Sequence, residues 1–221
     1  MAKQKILIIF LCLVVFNVLN SAQEKFSKSF YGGLFYITNY LTSNEYKEFA
    51  KAHTDLECVD HIYATAMKFF DNDPSETCFC LTFALIPYNK ILMRLPVIGL
   101  HIRIPLPSPP NSLFKSKLKN TPKKIFCDSP NDDFGDKDKL AHFFANAFLK
   151  YDVTIFNLSE FLGIFVEYFE QGFFLQGGYD IRDLIANHIG EFFAKMLEKN
   201  KNAKPSEALK IYQLLYFKLS P

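Results

Sequence analysis

The sequence predicts a mainly α protein, with a C-terminal helical bundle preceded by a small mixed region that holds short strands and disulfides. Three observations support this fold class. Residues 137–218 carry apolar side chains at helical spacing, residues 78–103 are rich in β-branched residues with interspersed prolines, and the four cysteines that follow residue 22 all precede residue 128. At 221 residues and 49% hydrophobic residues, the chain is long enough to bury a substantial core.

The N-terminus predicts a secretory signal peptide over residues 1–22. Lys3 and Lys5 form a short basic region, Ile6–Leu19 is almost wholly apolar, and Ser21 and Ala22 offer small residues for cleavage before Gln23. The alternative is an uncleaved N-terminal anchor, although the apolar run is shorter than the about 20 residues of a spanning helix. We therefore expect an exported protein that is periplasmic, envelope-associated or secreted.

Lipidation is not expected at Cys12. This cysteine lies inside the apolar run and follows Phe10 and Leu11, where lipoprotein processing requires small residues. No later stretch reaches 18 apolar residues without charge, so no transmembrane helix is predicted after residue 22. The remainder divides into an N-terminal helical and extended region, 23–130, and a C-terminal helical domain, 131–221.

Charge and aromatic content limit the classes of partner. The net charge of +2 does not favour nucleic acid, and no phosphate-binding glycine loop indicates a nucleotide. With 25 Phe, 11 Tyr and no Trp, the chain has enough aromatic surface for a thick core, for contact with lipid, or for both. A membrane surface or an envelope protein is therefore the expected partner, bound through a Phe-rich surface.

The four later cysteines are candidates for disulfides. They are Cys58, Cys78, Cys80 and Cys127, and an even number in an exported chain permits two bridges. A bridge between Cys78 and Cys80 is disfavoured by geometry if both lie in a strand, so we expect Cys58 and Cys127 each to pair with one of them. Metal binding is the alternative, but a single CxC with two scattered cysteines is a weak signal.

The first half of the sequence predicts helices followed by extended segments. Residues 29–70 predict helix in two pieces, with Ser43 as an N-cap and an amphipathic stretch over 55–70. One or two short strands, or a hairpin, are expected around residues 77–86 and 97–104, followed by a polyproline-like connection. The lysines at 115, 117, 119, 123 and 124 are interpreted as a solvated loop, with contact to anionic lipid as the alternative.

Four helices are predicted at the C-terminus, at about 137–151, 157–174, 180–199 and 205–218. On the first, Asp138, His142 and Asn146 are spaced i, i+4, i+8 and form a narrow polar stripe on an otherwise apolar helix. The second carries Glu167 on a similar strip. On the third, Asp180, Asp183 and Asn187 share one face with Glu191, which we interpret as an ordinary solvated face.

Three short blocks resemble the YfiM-type family of predicted periplasmic lipoproteins and, more distantly, VanZ-like membrane proteins. Residues 138–143 are similar to the family's DKxxHF signature, 167–172 to its acidic helix, and 180–190 to its D-x-x-D-L-x-A-N-x-x-G motif. The resemblance covers residues 137–193, about a quarter of the chain. It carries no firm activity. It implies that five side chains converge between helices: Asp138, His142, Glu167, Asp183 and Asn187. Asp180 is a sixth candidate for this polar cluster. The family's lipid-attachment motif is missing here.

Such a cluster has three interpretations, and the sequence leaves them open. It could be a hydrogen-bond network that fixes helix register. It could bind a ligand or a divalent metal, with His142, Glu167 and Asp183 as ligands, although no cofactor is predicted outright. It could perform acid–base catalysis through His142. The favoured function is a non-enzymatic binding or structural protein of the envelope, and the alternative is a metal-assisted or acid–base enzyme acting on an envelope component.

Overall fold

The computed structural model describes residues 29–94, 101–152 and 180–219. The predicted signal peptide and the predicted helix at 157–174, with Glu167, lie outside these residues. The described part is mainly helical, as the periodicity predicts. Its helices are α1 Phe30–Thr42, α2 Asn44–Ala52, α3 Asp55–Phe69, α4 Pro74–Leu85, α5 Asn111–Asn120, α6 Lys137–Asp152, α7 Ile181–Lys199, α8 Pro205–Leu209 and α9 Ile211–Leu219.

Side-chain caps set where the first helices begin. The side chains of Ser29, Ser43 and Thr54 accept backbone N–H groups in the first turns of α1, α2 and α3. Thr54 and Glu57 complete a capping box at α3. The region predicted as two helical pieces is therefore three helices, because Ser43 and Thr54 each cap the start of a new helix.

Helix α4 occupies the segment where the first strand was predicted, so that prediction is wrong. Asp73 caps the helix through Glu76 N, and Pro74 occupies the first turn, where its missing N–H costs nothing. Ten of the twelve residues are buried, so the helix is apolar on nearly every side. An all-round apolar segment has no helical stripe, and periodicity then cannot separate a buried helix from a buried strand.

A short antiparallel hairpin follows. Strand β1, Lys90–Arg94, pairs with β2, His101–Pro105, in a register that places Lys90 opposite Pro105 and Arg94 opposite His101. The second strand overlaps the segment expected to be extended, and the first lies after α4 rather than within it.

The lysine-rich segment is not a solvated loop over residues 111–120. It forms α5, and Lys117 is fully buried there. Lys117 Nζ lies 2.5 Å from the carbonyl oxygen of Ala84 and 3.1 Å from that of Ile86, at the end of α4. This lysine therefore caps the carbonyl end of a helix more than thirty residues earlier in the chain.

One hydrophobic core joins the described helices. It includes Leu41 of α1, Ile62 of α3, Leu81 of α4, Phe143 of α6 and Phe193 of α7, all buried. Helices α6 and α7 meet at Gly190, where an added Cβ would overlap the backbone carbonyl of Phe143. The two helices therefore approach each other at backbone distance.

The predicted disulfides are not formed among the described residues. Cys58, Cys78 and Cys80 are buried free thiols, and Cys127 is an exposed one. The prediction placed Cys78 and Cys80 in a strand, whereas both lie on α4 inside the core. Cys127 lies on the surface segment before α6. No two of these four cysteines are within the distance of a disulfide bond.

Within the described ranges, none of the helices combines the length and the apolarity needed to cross a membrane.

Candidate functional site

The polar stripe of α6 faces the polar stripe of α7. Asp180 caps α7 by accepting the N–H of Arg182, which fixes the first turn that carries Asp183. Asn187 follows one turn later on the same face. The close contact at Gly190 brings this face against α6, so Asp183 and Asn187 are buried. The prediction of a solvated face is therefore wrong for these two residues.

Lys139 lies at the centre of the site. Its Nζ is 2.9 Å from Asp138 Oδ2, 2.6 Å from Asp180 Oδ2 and 2.5 Å from Asp183 Oδ1. Only 4% of the lysine side chain is exposed. We call these four residues with His142, Asn146 and Asn187 the Lys139 cluster.

The cluster contains more negative than positive formal charge. Burial by itself lowers the pKa of Lys139, but the charge of Asp138 and the hydrogen bonds to Asp180 and Asp183 outweigh it, so the pKa is raised. Burial raises the pKa of Asp183 against the opposing effects of His142 and Lys139. For Asp180, burial is outweighed by hydrogen bonds from Lys139 and from the Arg182 backbone, so its pKa is lowered. The Lys139 ammonium is thus held firmly charged, and burial makes the Asp183 carboxyl easier to protonate than an exposed one.

His142 is oriented by an amide. Its Nδ1 lies 3.1 Å from Asn187 Oδ1, which also accepts a hydrogen bond of 2.6 Å from Asn146 Nδ2. Because an amide oxygen only accepts, Nδ1 carries a proton. His142 Nε2 lies 3.7 Å from Asp183 Oδ1, which is within ion-pair range but longer than a hydrogen bond.

A second ionic network lies beside the first. Arg182 donates to the fully buried Asp136, and its guanidinium is 3.5 Å from Asp128 Oδ1. Ser129 Oγ also donates to Asp136, and the Tyr212 hydroxyl donates to Asp128 at 2.8 Å. The first turn of α7 is therefore anchored to the segment before α6 and to α9.

Five of the six predicted cluster residues come together, and the sixth is not described. Asp138, His142, Asp180, Asp183 and Asn187 lie in one network, and Glu167 is outside the described residues. Sequence reasoning missed the centre of the network, Lys139, because a lysine next to a stripe is read as a surface residue. It also missed Asp136 and Arg182, for which periodicity offers no signal.

The described residues of the cluster are not arranged as a metal centre. Among the described residues, no group of three or more His, Cys, Asp and Glu side chains is arranged to hold a metal ion. The three carboxylates converge instead on the Lys139 ammonium, which provides the positive charge that a cation would bring.

No protein family model, curated protein or solved structure matches this chain.

Proposed function

We propose that this chain is an exported, non-enzymatic binding or structural protein of the cell envelope or the secreted space, and that the Lys139 cluster serves to fix α6 against α7. The observation that carries the proposal is the contact of one buried ammonium with three carboxylates. Because Lys139 Nζ contacts three carboxylates, it has no N–H left to donate to a substrate. Breaking these contacts would leave buried charge unpaired. The cluster is thus suited to fixing the register of two helices.

The interlocking amides support the same role. Asn146 donates both to the backbone carbonyl of His142 and to Asn187 Oδ1, so the imidazole and both amides hold each other in place. Each of these contacts joins α6 to itself or to α7. A sliding of one helix by a single turn would break both contacts to Asn187, which are the ones that cross from α6 to α7.

A His142→Ala variant tests this role without knowledge of a substrate. A structural network predicts a lower melting temperature, because Asn187 Oδ1 and Asp183 lose a buried partner. The control is His188→Ala, which removes an exposed imidazole from the same helix pair. Elemental analysis of untagged protein should find no stoichiometric metal. A His142→Ala variant as stable as the control, or a retained metal ion, would overturn the structural role.

An acid–base enzyme is the second candidate. Two observations favour it. His142 Nε2 lies 3.7 Å from Asp183 Oδ1, and burial raises the pKa of Asp183. The His142 side chain is also 18% exposed, so a substrate can reach it. Catalytic groups are held at a cost in stability, so their removal tends to leave a protein as stable or more stable. A higher melting temperature for His142→Ala would therefore favour this candidate, acting on an envelope component.

Helix α1 supports binding to a membrane surface or an envelope protein. Its thirteen residues include no charged side chain. Tyr31, Phe35 and Tyr36 are exposed by 62%, 51% and 43%. Exposed aromatic side chains on a helix that itself has no charged residue favour apolar or interfacial surroundings.

Flotation of the full chain with phospholipid vesicles tests this face. We expect the double variant Tyr31→Ser/Phe35→Ser to lose most vesicle binding. The matched control is Leu214→Ser/Tyr216→Ser, which removes two exposed apolar side chains from α9. Equal vesicle binding by wild type and the α1 variant would remove the lipid interaction from the proposal.

Export and the relation to YfiM-type lipoproteins remain part of the proposal. The basic, apolar and small-residue order of the first 22 residues supports cleavage before Gln23. The relation is supported by the meeting of Asp138 and His142 with Asp183 and Asn187, the residues of two resembling blocks. N-terminal sequencing of protein from the extracytoplasmic fraction should begin at Gln23; an intact Met1 in that fraction would contradict a cleaved signal.

A further inference from the structure

A groove separate from the Lys139 cluster lies between α2, α3 and the segment that leads into α8. It has a volume of about 480 Å³, which is within the range of small-molecule sites. Phe49, His53 and His61 form one wall, Tyr63 and Met67 contribute to the floor, and three lysines stand at its edges: Lys68, Lys201 and Lys204. We call this the basic groove.

The wall is a stack of three flat rings. The Phe49 ring lies between two imidazoles, with centroid distances of 3.8 Å to His53 and 4.0 Å to His61. The three planes are nearly parallel, at 7° and 16°. His53 is fixed there because its Nδ1 lies 2.8 Å from the Phe49 carbonyl oxygen. The groove therefore offers an ordered flat surface to an apolar or aromatic ligand.

The carboxylates of the groove are already used within the fold. Glu57 Oε2 accepts hydrogen bonds from the backbone N–H and the hydroxyl of Thr54, at 2.8 and 2.9 Å. Asp60 accepts from the backbone N–H and the hydroxyl of Ser206, at 2.8 and 2.6 Å. Both acids hold helix starts in place, and the groove lining has three lysines against these two acids.

The lysines of the groove are exposed. Lys68, Lys201 and Lys204 form no ion pair with any residue that the structure describes. Burial lowers the pKa of His61, and the charge of Lys68 lowers it further. A negative group placed between the three lysines would be stabilised by their charge.

We propose that the basic groove binds an organic anion in which a flat apolar body carries a carboxylate, sulfonate or phosphate group. The body lies against the stacked wall, and the acid group is held between Lys68 and the two lysines before α8. This ligand site is independent of the Lys139 cluster and of the aromatic face of α1.

Titration of the full chain with 8-anilinonaphthalene-1-sulfonate tests the proposal, since this fluorescent probe joins an aromatic body to an anion. We expect saturable binding, weakened at least tenfold in Lys201→Glu/Lys204→Glu. The matched control is Lys115→Glu/Lys119→Glu, which makes the same charge change on exposed residues of α5 and should alter the affinity less than twofold. Both pairs are exposed, so neither substitution disturbs the core.

A neutral analogue separates the contribution of charge. N-phenyl-1-naphthylamine should bind the wild type more weakly than the sulfonate, and its affinity should be the same in the wild type and the groove variant. Equal loss of sulfonate affinity in both double variants would show a general effect of net charge and would overturn the site. Unchanged sulfonate affinity in the groove variant would overturn it as well.

Discussion

At the scale of single residues, the structure is governed by two buried lysines with opposite surroundings. Lys139 is enclosed by three carboxylates, and Lys117 by backbone carbonyl oxygens at the end of α4. Burial costs both ammonium groups their hydration, and only Lys139 has negative side chains to offset that cost. The two residues therefore respond to substitution and to pH in different ways.

A Lys139→Met substitution should lower the free energy of unfolding by about 3–5 kcal/mol at pH 7, because it leaves buried carboxylates unpaired. Urea denaturation at pH 7 and pH 4 measures this effect. The loss should shrink at pH 4, where the carboxyls take up protons in place of the ammonium.

Lys195→Met is the control for that experiment, since Lys195 is exposed on α7 and should cost less than about 0.5 kcal/mol. Comparable losses for the two substitutions would mean that the Lys139 contacts contribute little to stability.

Lys117 makes a testable contribution to the pH dependence of stability. Burial lowers its pKa from the ordinary 10.5 to about 7. Between these values the unfolded chain binds a proton that the folded chain does not, so the free energy of unfolding rises with pH from 7 to 10.5. Relative to Lys117→Met, the wild type should gain up to about 1.4 kcal/mol per pH unit between pH 7 and 9, as measured by urea denaturation. A constant difference would show that the carbonyl oxygens hold Lys117 as an ammonium throughout.

At the scale of elements, the contact of α6 with α7 sets the site. The approach depends on Gly190, since a side chain there would push against the Phe143 carbonyl. Every link of the Lys139 cluster between the two helices requires that approach. The glycine is thus as important to the site as its polar residues.

A Gly190→Ala substitution should destabilise the protein by more than about 2 kcal/mol, because backbone cannot move aside as a flexible side chain can. Gly32→Ala is the matched control within α1, where an added Cβ would meet its nearest neighbour at an ordinary 3.6 Å. That control should be neutral or more stable by up to about 1 kcal/mol, from its higher helix propensity. Thermal unfolding of both variants checks the contrast, and a Gly190→Ala protein as stable as Gly32→Ala would refute the close packing.

At the scale of the whole molecule, packing rather than covalent bridging joins the described helices. A single core runs from α1 through α4 to α6, α7 and α9, and the cysteines within it are free. Burial raises the pKa of the Cys58 thiol, and Cys78 and Cys80 are fully buried. These three thiols are therefore both shielded and poor nucleophiles.

Alkylation by iodoacetamide should distinguish the thiols. In the folded protein, peptide mapping should find faster modification at the exposed Cys127 than at the buried Cys58, Cys78 and Cys80, although burial and the charge of Asp128 raise the pKa of the Cys127 thiol too. After unfolding without a reductant, all four should react. Any of the four that reacts only after reduction would demonstrate a disulfide and contradict the free thiols.

Local features of this protein follow from neighbouring residues. Apolar spacing predicts α6 and α7 closely, and the i, i+4 spacing places Asp138 and His142 on one stripe, because both signals depend only on neighbours along the chain. Which faces are buried depends instead on tertiary contacts. From the sequence, the Asp183 face is predicted to be solvated, but α6 covers it. Lys139 and Lys117 are predicted to be surface lysines, but residues distant in sequence enclose them. Helix α4 has no apolar stripe because it is buried on nearly every side. Burial and charge pairing arise from contacts distant in sequence, which periodicity does not record.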